Sequence, residues 1–462
     1  MFSANFKLHW KSVLLVSWPL IIANSFWNLQ LTIDRIFLGQ YSTDALGAAM
    51  AVMGVFWTPM ALIQQVPAYI STFVAQYFGA KENSNIGPAV WQATFIGVLG
   101  GLLCLLMIPF SKELFEFMGH TPNMQKLEAE YFSALCWSAL PTALLAVAGG
   151  FFTGLGRSQV VMWLNGIGLL ANAILDPIMI FGMFGFPELG IAGAGYATAA
   201  ANWISAIVGF GLLLNQENEV LFKIRSSIKF QKDLCLRFLK YGLPAGLQFS
   251  LEGLAFTVFL LFLGRMENGD AALSASGIGV TILMLAILPA FGLGQGAAVL
   301  VGQNLGEKKP DLAEKKTWVA FTLAEIYIVT MALSFVLFPQ FYLSWFDNGK
   351  GPELWAEISA IVPWILKIIA IFVCFDAMNL VFSSALRGAG DTRFVTAVAL
   401  IVPWPLMVLP TYFLHTLTGG VYWSWLAAGL FACVQALIFL FRFKGGKWKT
   451  LSVIHDGASI NK

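Results

Sequence analysis

The 462-residue chain is 58% hydrophobic and only 11% charged, with a net charge of +2 and a mean hydropathy of +0.75. Soluble domains carry roughly 25% charged residues, so this composition excludes a soluble protein and indicates an integral membrane protein. The small net charge excludes no class of partner, because the distribution of charge along the chain matters more than its sum.

Long apolar runs alternate with short polar breaks from one end of the chain to the other. Most runs reach the ~20 residues that cross a bilayer, and at this length only helices satisfy the backbone in lipid. The sequence therefore predicts an all-α integral membrane protein of about twelve transmembrane helices. The predicted helices occupy residues 12–36, 46–78, 88–110, 131–153, 160–184, 191–214, 237–263, 272–303, 317–339, 357–385, 394–414 and 420–442.

The basic residues predict the orientation of these helices. If the N-terminus is cytoplasmic, basic clusters such as Lys223–Lys232, Lys308–Lys316 and Arg442–Lys449 all fall on the inner side. The outer loops then hold few basic residues, among them Lys112 and Lys126. This asymmetry follows the positive-inside rule and predicts a multi-pass membrane protein with both termini in the cytoplasm.

The second half of the chain repeats the first. Three pairs of segments match: Trp18–Gly39 with Leu243–Gly264, Ala75–Glu82 with Gly302–Lys309, and Thr153–Gln159 with Arg387–Arg393. Because each half holds six helices, both enter the membrane from the same side, which predicts two lobes related by a pseudo-two-fold axis along the membrane normal. The expected parts are an N-terminal lobe (1–215), a cytoplasmic linker (216–233), a C-terminal lobe (234–443) and a cytoplasmic tail (444–462).

Four acidic residues lie inside apolar runs, where a carboxylate costs several kcal/mol and indicates a functional site. They are Asp34, Asp176, Glu252 and Asp376. Polar or aromatic side chains share their helix faces at helical spacing. These neighbours are Trp27 and Gln30 for Asp34, Asn172 for Asp176, Gln248 for Glu252, and Asn379 for Asp376. All of them except Asn172 are candidates to line a central cleft. Trp57 is a further aromatic candidate for the cleft. Glu325 lies nearer the cytoplasmic end of its run and is set apart, because it could reach the headgroups.

Clusters of this kind support three chemistries: reversible protonation, binding of Na⁺, and neutralisation of a cationic compound. The alternative is a structural one, in which protonated acids form hydrogen bonds between helices. The residues alone leave these alternatives open.

At these residues the chain resembles the multidrug and toxic compound extrusion (MATE) family. The resemblance rests on the Asp34 helix, on Asn172–Pro177, Gly193–Thr198 and Leu243–Glu252, and on Asp376–Gly388. It implies a twelve-helix, two-lobe antiporter of the bacterial inner membrane that expels drugs, often cationic and amphipathic, in exchange for H⁺ or Na⁺. It also implies that Asp34, Asn172, Asp176 and Thr198 form an N-lobe cation site, as in DinF-type members. Glu252 and Asp376 match a C-lobe acid pair associated with Na⁺ in NorM-type members, so the chain combines features of both branches.

Other functions lack their motifs in the sequence. No P-loop or H-E-x-x-H motif occurs, so we expect the protein to bind no nucleotide, to catalyse no reaction and to need no cofactor beyond the coupling ion. The basic residues track the inner membrane face, so we expect no binding of nucleic acid. The expected partners are small organic molecules and membrane lipids, and we expect the protein to work as a monomer. A lipid-linked oligosaccharide flippase of the same superfamily is the alternative, but it should carry Arg or Lys in its cleft, where this chain offers acids.

Overall fold

The computed structural model describes residues 2–266, 269–346, 352–414, 417 and 419–454, and the regular structure in these ranges is entirely helical. Twelve spans are long and apolar enough to cross a membrane, as the sequence predicts. We label them α1 to α12 in chain order: Leu8–Tyr41, Thr43–Gly79, Asn83–Phe117, Pro122–Gly154, Ser158–Phe181, Gly190–Leu213, Lys232–Leu263, Gly269–Gly306, Pro310–Leu337, Glu353–Ala389, Thr392–Leu414 and Gly420–Lys444. Residues 455–462 of the predicted tail lie outside the described ranges.

Several spans consist of successive helical pieces rather than one regular helix. α2 divides at Tyr69 into Thr43–Ala68 and Ile70–Gly79, and α4 divides into Pro122–Cys136 and Ala139–Gly154. α3 consists of four pieces: Asn83–Asn85, Ile86–Leu105, Ile108–Phe110 and Ser111–Phe117. α11 consists of Thr392–Ile401, a π-helical turn at Trp404–Val408, and Leu409–Leu414. Pro403, Pro405 and Pro410 lie in or beside the π-helical turn of α11. Each proline lacks the backbone N–H that a regular helix needs, which explains why α11 is irregular at this point.

Short helices lie between and beyond the spans. Met183–Gly185 follows α5, Gln216–Phe222 and Arg225–Ser227 lie in the linker, Pro339–Leu343 follows α9, and Lys447–Thr450 lies in the tail. The linker and the described part of the tail are therefore folded segments.

The chain packs into two compact units. The N unit contains Ile22–Ser250, Gly302–Lys309 and the tail from Ser452, and the C unit contains the chain up to Ile21, Leu251–Val301 and Pro310–Leu451. These packing units divide α1, α7 and α8, whereas the predicted lobes follow chain order. The lobe boundaries at 1–215 and 234–443 therefore stay predictions about the repeat.

Small residues let neighbouring spans approach closely within each unit. In the C unit, Cβ atoms added at Gly292 and Gly296 of α8 would meet Ile21 and Ser17 of α1. In the N unit, a Cβ at Gly246 of α7 would meet Val66 of α2. Glycine lets two helix backbones approach closely, which is the usual source of packing energy in lipid.

The tail docks onto the N unit through its last described residues. Val453 and Ile454 are buried in an apolar cluster of that unit. The backbone N–H of Val453 donates to Oε1 of Gln76 (2.9 Å), and Nη1 of Arg237 donates to the carbonyl of Ile454 (3.0 Å). The hydroxyl of Tyr241 donates to the carbonyl of Ser452 (3.4 Å). Both apolar burial and hydrogen bonds therefore fix the tail to the ends of α2 and α7.

Candidate functional site

The four predicted N-lobe residues meet in the interior of the N unit. Asp34 comes from α1, Asn172 and Asp176 from successive turns of α5, and Thr198 from α6. Thr198 Oγ1 donates to Asp34 Oδ2 (3.3 Å), and Asn172 Nδ2 donates to Asp176 Oδ1 (3.2 Å) and to Thr198 Oγ1 (3.5 Å). Asp34 is 5% exposed, and Asn172 and Asp176 are fully buried. Three helices thus converge on one dry, polar cluster.

This cluster has unused acceptors. Asp34 Oδ1, Asn172 Oδ1 and Asp176 Oδ2 are buried and have no hydrogen-bond partner among the described residues. The Asp34 and Asp176 carboxyl groups are neighbours in this cluster, joined through the Thr198 hydroxyl and the Asn172 amide. Two ionised carboxylates at this separation repel, whereas a proton held between them forms a hydrogen bond. The geometry therefore fits one proton shared by the two acids, or a small cation in its place.

Tyr131 of α4 is a further member of this neighbourhood that the sequence did not suggest. It is 4% exposed and lies within electrostatic range of both Asp34 and Asp176. A phenol both donates and accepts a hydrogen bond, so it can stabilise either charge state of a nearby acid. It stands at the start of an apolar run, directly after Glu130, and this context gave no signal that separates it from a packing residue.

Two of the predicted cleft-lining residues lie on the same helix as Asp34. Trp27 is half-buried and its ring centroid lies 5.4 Å from that of Trp57 on α2, at an interplanar angle of 43°. Gln30, one turn before Asp34, is buried. The tryptophan pair offers flat π surfaces of the type that attract organic cations. Gln248 of α7 is also buried in the N unit.

The two predicted C-lobe acids approach each other in the C unit. Glu252 of α7 and Asp376 of α10 are half-buried and lie within electrostatic range of each other. Gln435 of α12, which the sequence did not suggest, donates from Nε2 to Glu252 Oε1 (2.9 Å). Gln435 is fully buried, and its own Oε1 has no hydrogen-bond partner in the described part of the chain. These oxygens are ligands of the kind that hard cations prefer.

The remaining predicted residues of the C unit have separate positions. Asn379 lies one turn after Asp376 on α10 and is half-buried. Glu325 of α9 lies beside Cys374 of α10, and its Oε2 is buried without a hydrogen-bond partner among the described residues. Glu325 therefore points toward the neighbouring helix α10.

Comparisons with known proteins agree with this architecture. The model of the MatE family matches residues 19–178 and 244–413, which is more than half of the chain. The chain belongs to the MatE family. The two matched segments start at the paired prolines of the repeat, Pro19 and Pro244. The resemblance seen in the sequence is thereby confirmed, and the chain is a multi-pass membrane transporter.

Relatives extend the match to nearly the full length. A probable multidrug resistance protein NorM from Thermotoga maritima is 28% identical over 444 residues, covering 91% of this chain and 89% of the relative. One from Agrobacterium fabrum is 26% identical over 408 residues, covering 87% and 86%. The similarity to NorM proteins places the chain near the branch that its C-lobe acids suggested.

Solved structures show the same fold. An outward-facing multidrug resistance MATE family transporter of the MOP superfamily has a TM-score of 0.86 at 21% identity and covers 95% of this chain and 96% of its own. A MOP superfamily transporter from Pyrococcus furiosus has a TM-score of 0.85 at 21% identity, with the same coverage. At this identity the likeness establishes the fold and leaves substrate and coupling ion to the site itself.

Proposed function

We propose that the protein exports small organic compounds, often cationic and amphipathic, in exchange for an inward flow of H⁺ or Na⁺. The observation that carries the proposal is the buried network of Asp34, Thr198, Asn172 and Asp176, whose two carboxyl groups are joined through Thr198 and Asn172 and hold unused oxygens. The names of the NorM relatives, which describe multidrug resistance, support the substrate class.

In this proposal the N-unit acids alternate between two charge states. With one proton shared, Asp34 and Asp176 carry a single negative charge between them, and with a second proton the pair is neutral. A cationic compound near the network favours the charged pair, and protonation favours release of the compound. Alternating access then couples the two events, because the network is reached from one side of the membrane at a time.

The gradient supplies enough free energy for this exchange. Moving one charge through 100 mV provides about 2.3 kcal/mol. A tenfold gradient of compound needs about 1.4 kcal/mol at 25 °C. One H⁺ per exported neutral compound therefore sustains a gradient above tenfold from the potential alone. Exchange of one H⁺ for one monovalent cationic compound moves no net charge, so that exchange draws on the concentration gradient of H⁺, which supplies about 1.4 kcal/mol for each pH unit.

The C-unit acids have a separate role in the proposal. Glu252, Asp376 and the Gln435 side chain would hold Na⁺, or the positive charge of the exported compound. This role rests on the proximity of the two acids and on the unused oxygen of Gln435. We further propose that the protein works as a monomer in the bacterial inner membrane with both termini cytoplasmic, that its other partners are lipids, and that it needs no cofactor and catalyses no reaction.

Efflux into inverted membrane vesicles tests the proposal, with a pH gradient and a Na⁺ gradient imposed separately. We expect Asp34→Asn to abolish pH-driven export while the protein stays folded and inserted, because the amide cannot carry the proton. The matched control is Asp44→Asn, since Asp44 is an exposed acid at the start of α2 in the same unit. This control should transport normally.

Each other outcome points to a different mechanism. Export that needs Na⁺ and survives Asp34→Asn would move the coupling to Glu252 and Asp376. Transport under neither gradient would contradict the proposal and favour the lipid-linked oligosaccharide flippase. Ionic current without exchange would indicate a passive channel.

A further inference from the structure

A buried carboxylate outside the acid network has no role in the mechanism above. Glu128 of α4 is fully buried, and its Oε1 lies 2.7 Å from Nδ1 of His120. Its Oε2 is buried too and has no hydrogen-bond partner among the residues that the structure describes. A buried carboxylate with an unused oxygen is costly, and in a membrane protein it marks a candidate functional group. Hydropathy placed this residue outside the membrane, because the predicted span began at residue 131.

His120 connects this carboxylate to solvent. Its side chain is 44% exposed in the loop between α3 and α4, and Gln125 Nε2 donates to its backbone carbonyl (2.6 Å). The loop turn is fixed at Gly119, whose φ of +75° is a left-handed conformation that other residues adopt at a cost. The imidazole therefore has one nitrogen on Glu128 and is accessible to water on the face that the positive-inside rule assigns to the outside.

Glu128 also leads towards the acid network. Tyr131 follows it by three residues on α4, so the two side chains lie on one helix face about 4.5 Å apart along the axis. Tyr131 is within electrostatic range of Asp34 and Asp176. An imidazole, a carboxyl group and a phenol thus follow one another from solvent to the acid pair, and each can both donate and accept a proton.

The other charged groups near this path are exposed. Lys126 and Glu130 form a loose pair (3.9 Å) on the outer face of α4, and Asn123 donates to Asp44 of α2 (3.4 Å). The exposed charges on the other neighbouring elements are Lys112, Glu113 and Glu116 at the end of α3, and Glu188 before α6. Glu188 lies beside Tyr41 of α1. Exposed charges are screened by water and salt, so His120 is the group that acts on Glu128 directly.

We propose that His120 and Glu128 form a proton relay between the outer solvent and the Asp34–Asp176 pair. In each transfer the exposed Nε2 of the neutral His120 ring takes a proton from water, and the ring gives its Nδ1 proton to Oε1 of Glu128. Rotation of the protonated Glu128 carboxyl group turns this proton towards the acid pair, to which it passes through water or the Tyr131 hydroxyl. One proton enters and one reaches the acids, and a half-turn of the imidazole ring restores the N–H that faces Glu128. The relay rests on the proposed coupling to H⁺.

Reconstituted protein in liposomes with an imposed pH gradient tests the relay. General acid–base participation is worth roughly 10²–10⁴-fold in rate, and water replaces part of it, so Glu128→Gln should slow pH-driven transport by about tenfold or more. Binding of the compound at fixed pH should keep its affinity, because a relay changes a rate and not an equilibrium. The matched control is Glu130→Gln, since Glu130 is exposed two residues further along the same helix. It should transport at the wild-type rate.

Chemical rescue separates a relay from a structural pair. Formate should restore transport to Glu128→Ala, and imidazole should restore it to His120→Asn, whereas a purely structural role gives no rescue. If Glu128→Gln fails to fold, His120→Asn carries the test, because His120 lies in an exposed loop.

Two results would overturn the relay. The first is a wild-type rate in Glu128→Gln, and the second is a slower rate that falls together with affinity and thermal stability and is not rescued. Wild-type protein without any pH-driven transport would overturn the proposed H⁺ coupling itself, a result seen before any relay variant is measured.

Discussion

The docking of the tail gives a quantitative prediction. Val453 is fully buried in the N unit, and its N–H is bonded to Gln76. Val453→Ala removes two methyl groups, each worth about 0.8 kcal/mol when buried. The space left behind adds to the loss, because a packed core closes a cavity only in part. We therefore expect the change to weaken docking of the tail by about 2 kcal/mol.

The loss should appear as local release of the tail, not as unfolding of the protein. A terminal segment opens independently when few buried contacts hold it. At 1.4 kcal/mol for each factor of ten, 2 kcal/mol raises the open population roughly 30-fold. The bonds from Arg237 and Tyr241 to tail carbonyls are backbone contacts that the substitution leaves in place, so the tail should remain docked most of the time.

Amide hydrogen exchange measured by mass spectrometry on the detergent-solubilised protein would detect this release. Peptides that contain residues 452–454 should exchange about 30-fold faster in Val453→Ala, with no change in the spans. The matched control is Val220→Ala, because Val220 is 74% exposed in the linker helix of the same unit. Unchanged tail exchange, or an equal rise in every peptide, would refute a contribution of about 2 kcal/mol from Val453 to docking of the tail.

Two further predictions concern the C unit. Glu252→Gln and Asp376→Asn should each weaken any Na⁺ dependence of efflux, because the two acids are close enough to bind the same ion. If either variant instead changes which compounds are exported and leaves the Na⁺ dependence unaltered, the acids are substrate-binding groups. Arg442 donates two hydrogen bonds to the Asp391 carboxylate (2.7 and 3.2 Å) at a largely buried site. Asp391→Asn leaves the Arg442 charge without its partner there, so it should destabilise the protein by about 2–3 kcal/mol. The midpoint of thermal unfolding measures this loss, and a midpoint equal to wild type would contradict it.

The number and order of the spans follow from the sequence because lipid imposes a simple rule. A run that crosses the bilayer must be apolar over most of its length, and the twelve predicted runs match the twelve helical spans. The ends of the spans are less predictable, since polar helix continues beyond the hydrocarbon. α4 shows this, because it starts at Pro122, nine residues before the predicted start.

The site residues were predictable to different degrees. The pair Asn172 and Asp176 follows from helical spacing alone, and their hydrogen bond is present. Thr198 came from family resemblance, because nothing in its local sequence separates it from other small polar residues of α6. Gln435 and Tyr131 could not be found from local sequence, since each becomes notable only when another helix brings an acid beside it.

The residues that follow two equivalent glycines of the repeat both form ion pairs, but they carry opposite charges. Gly156 and Gly390 occupy equivalent places in the two halves, and both have left-handed φ values of +77° and +101°. The next residue is Arg157 in one half and Asp391 in the other. Their partners are Glu217, in the helix after α6, and Arg442, at the end of α12.

An ion pair is therefore formed at the same position after each glycine, with the charge at that position reversed and with partners from different places in the two halves. A pair keeps its Coulomb attraction when both charges are exchanged, so selection for the contact leaves the sign at each position free. The two copies differ in energy because of burial, since Arg157 and Glu217 are 44% and 62% exposed, whereas Asp391 and Arg442 are 9% and 23% exposed. Exposed pairs contribute at most about 1 kcal/mol, so Glu217→Gln should cost far less stability than Asp391→Asn. Equal losses of stability in the two variants would mean that burial of an ion pair does not set its contribution to the stability of this protein.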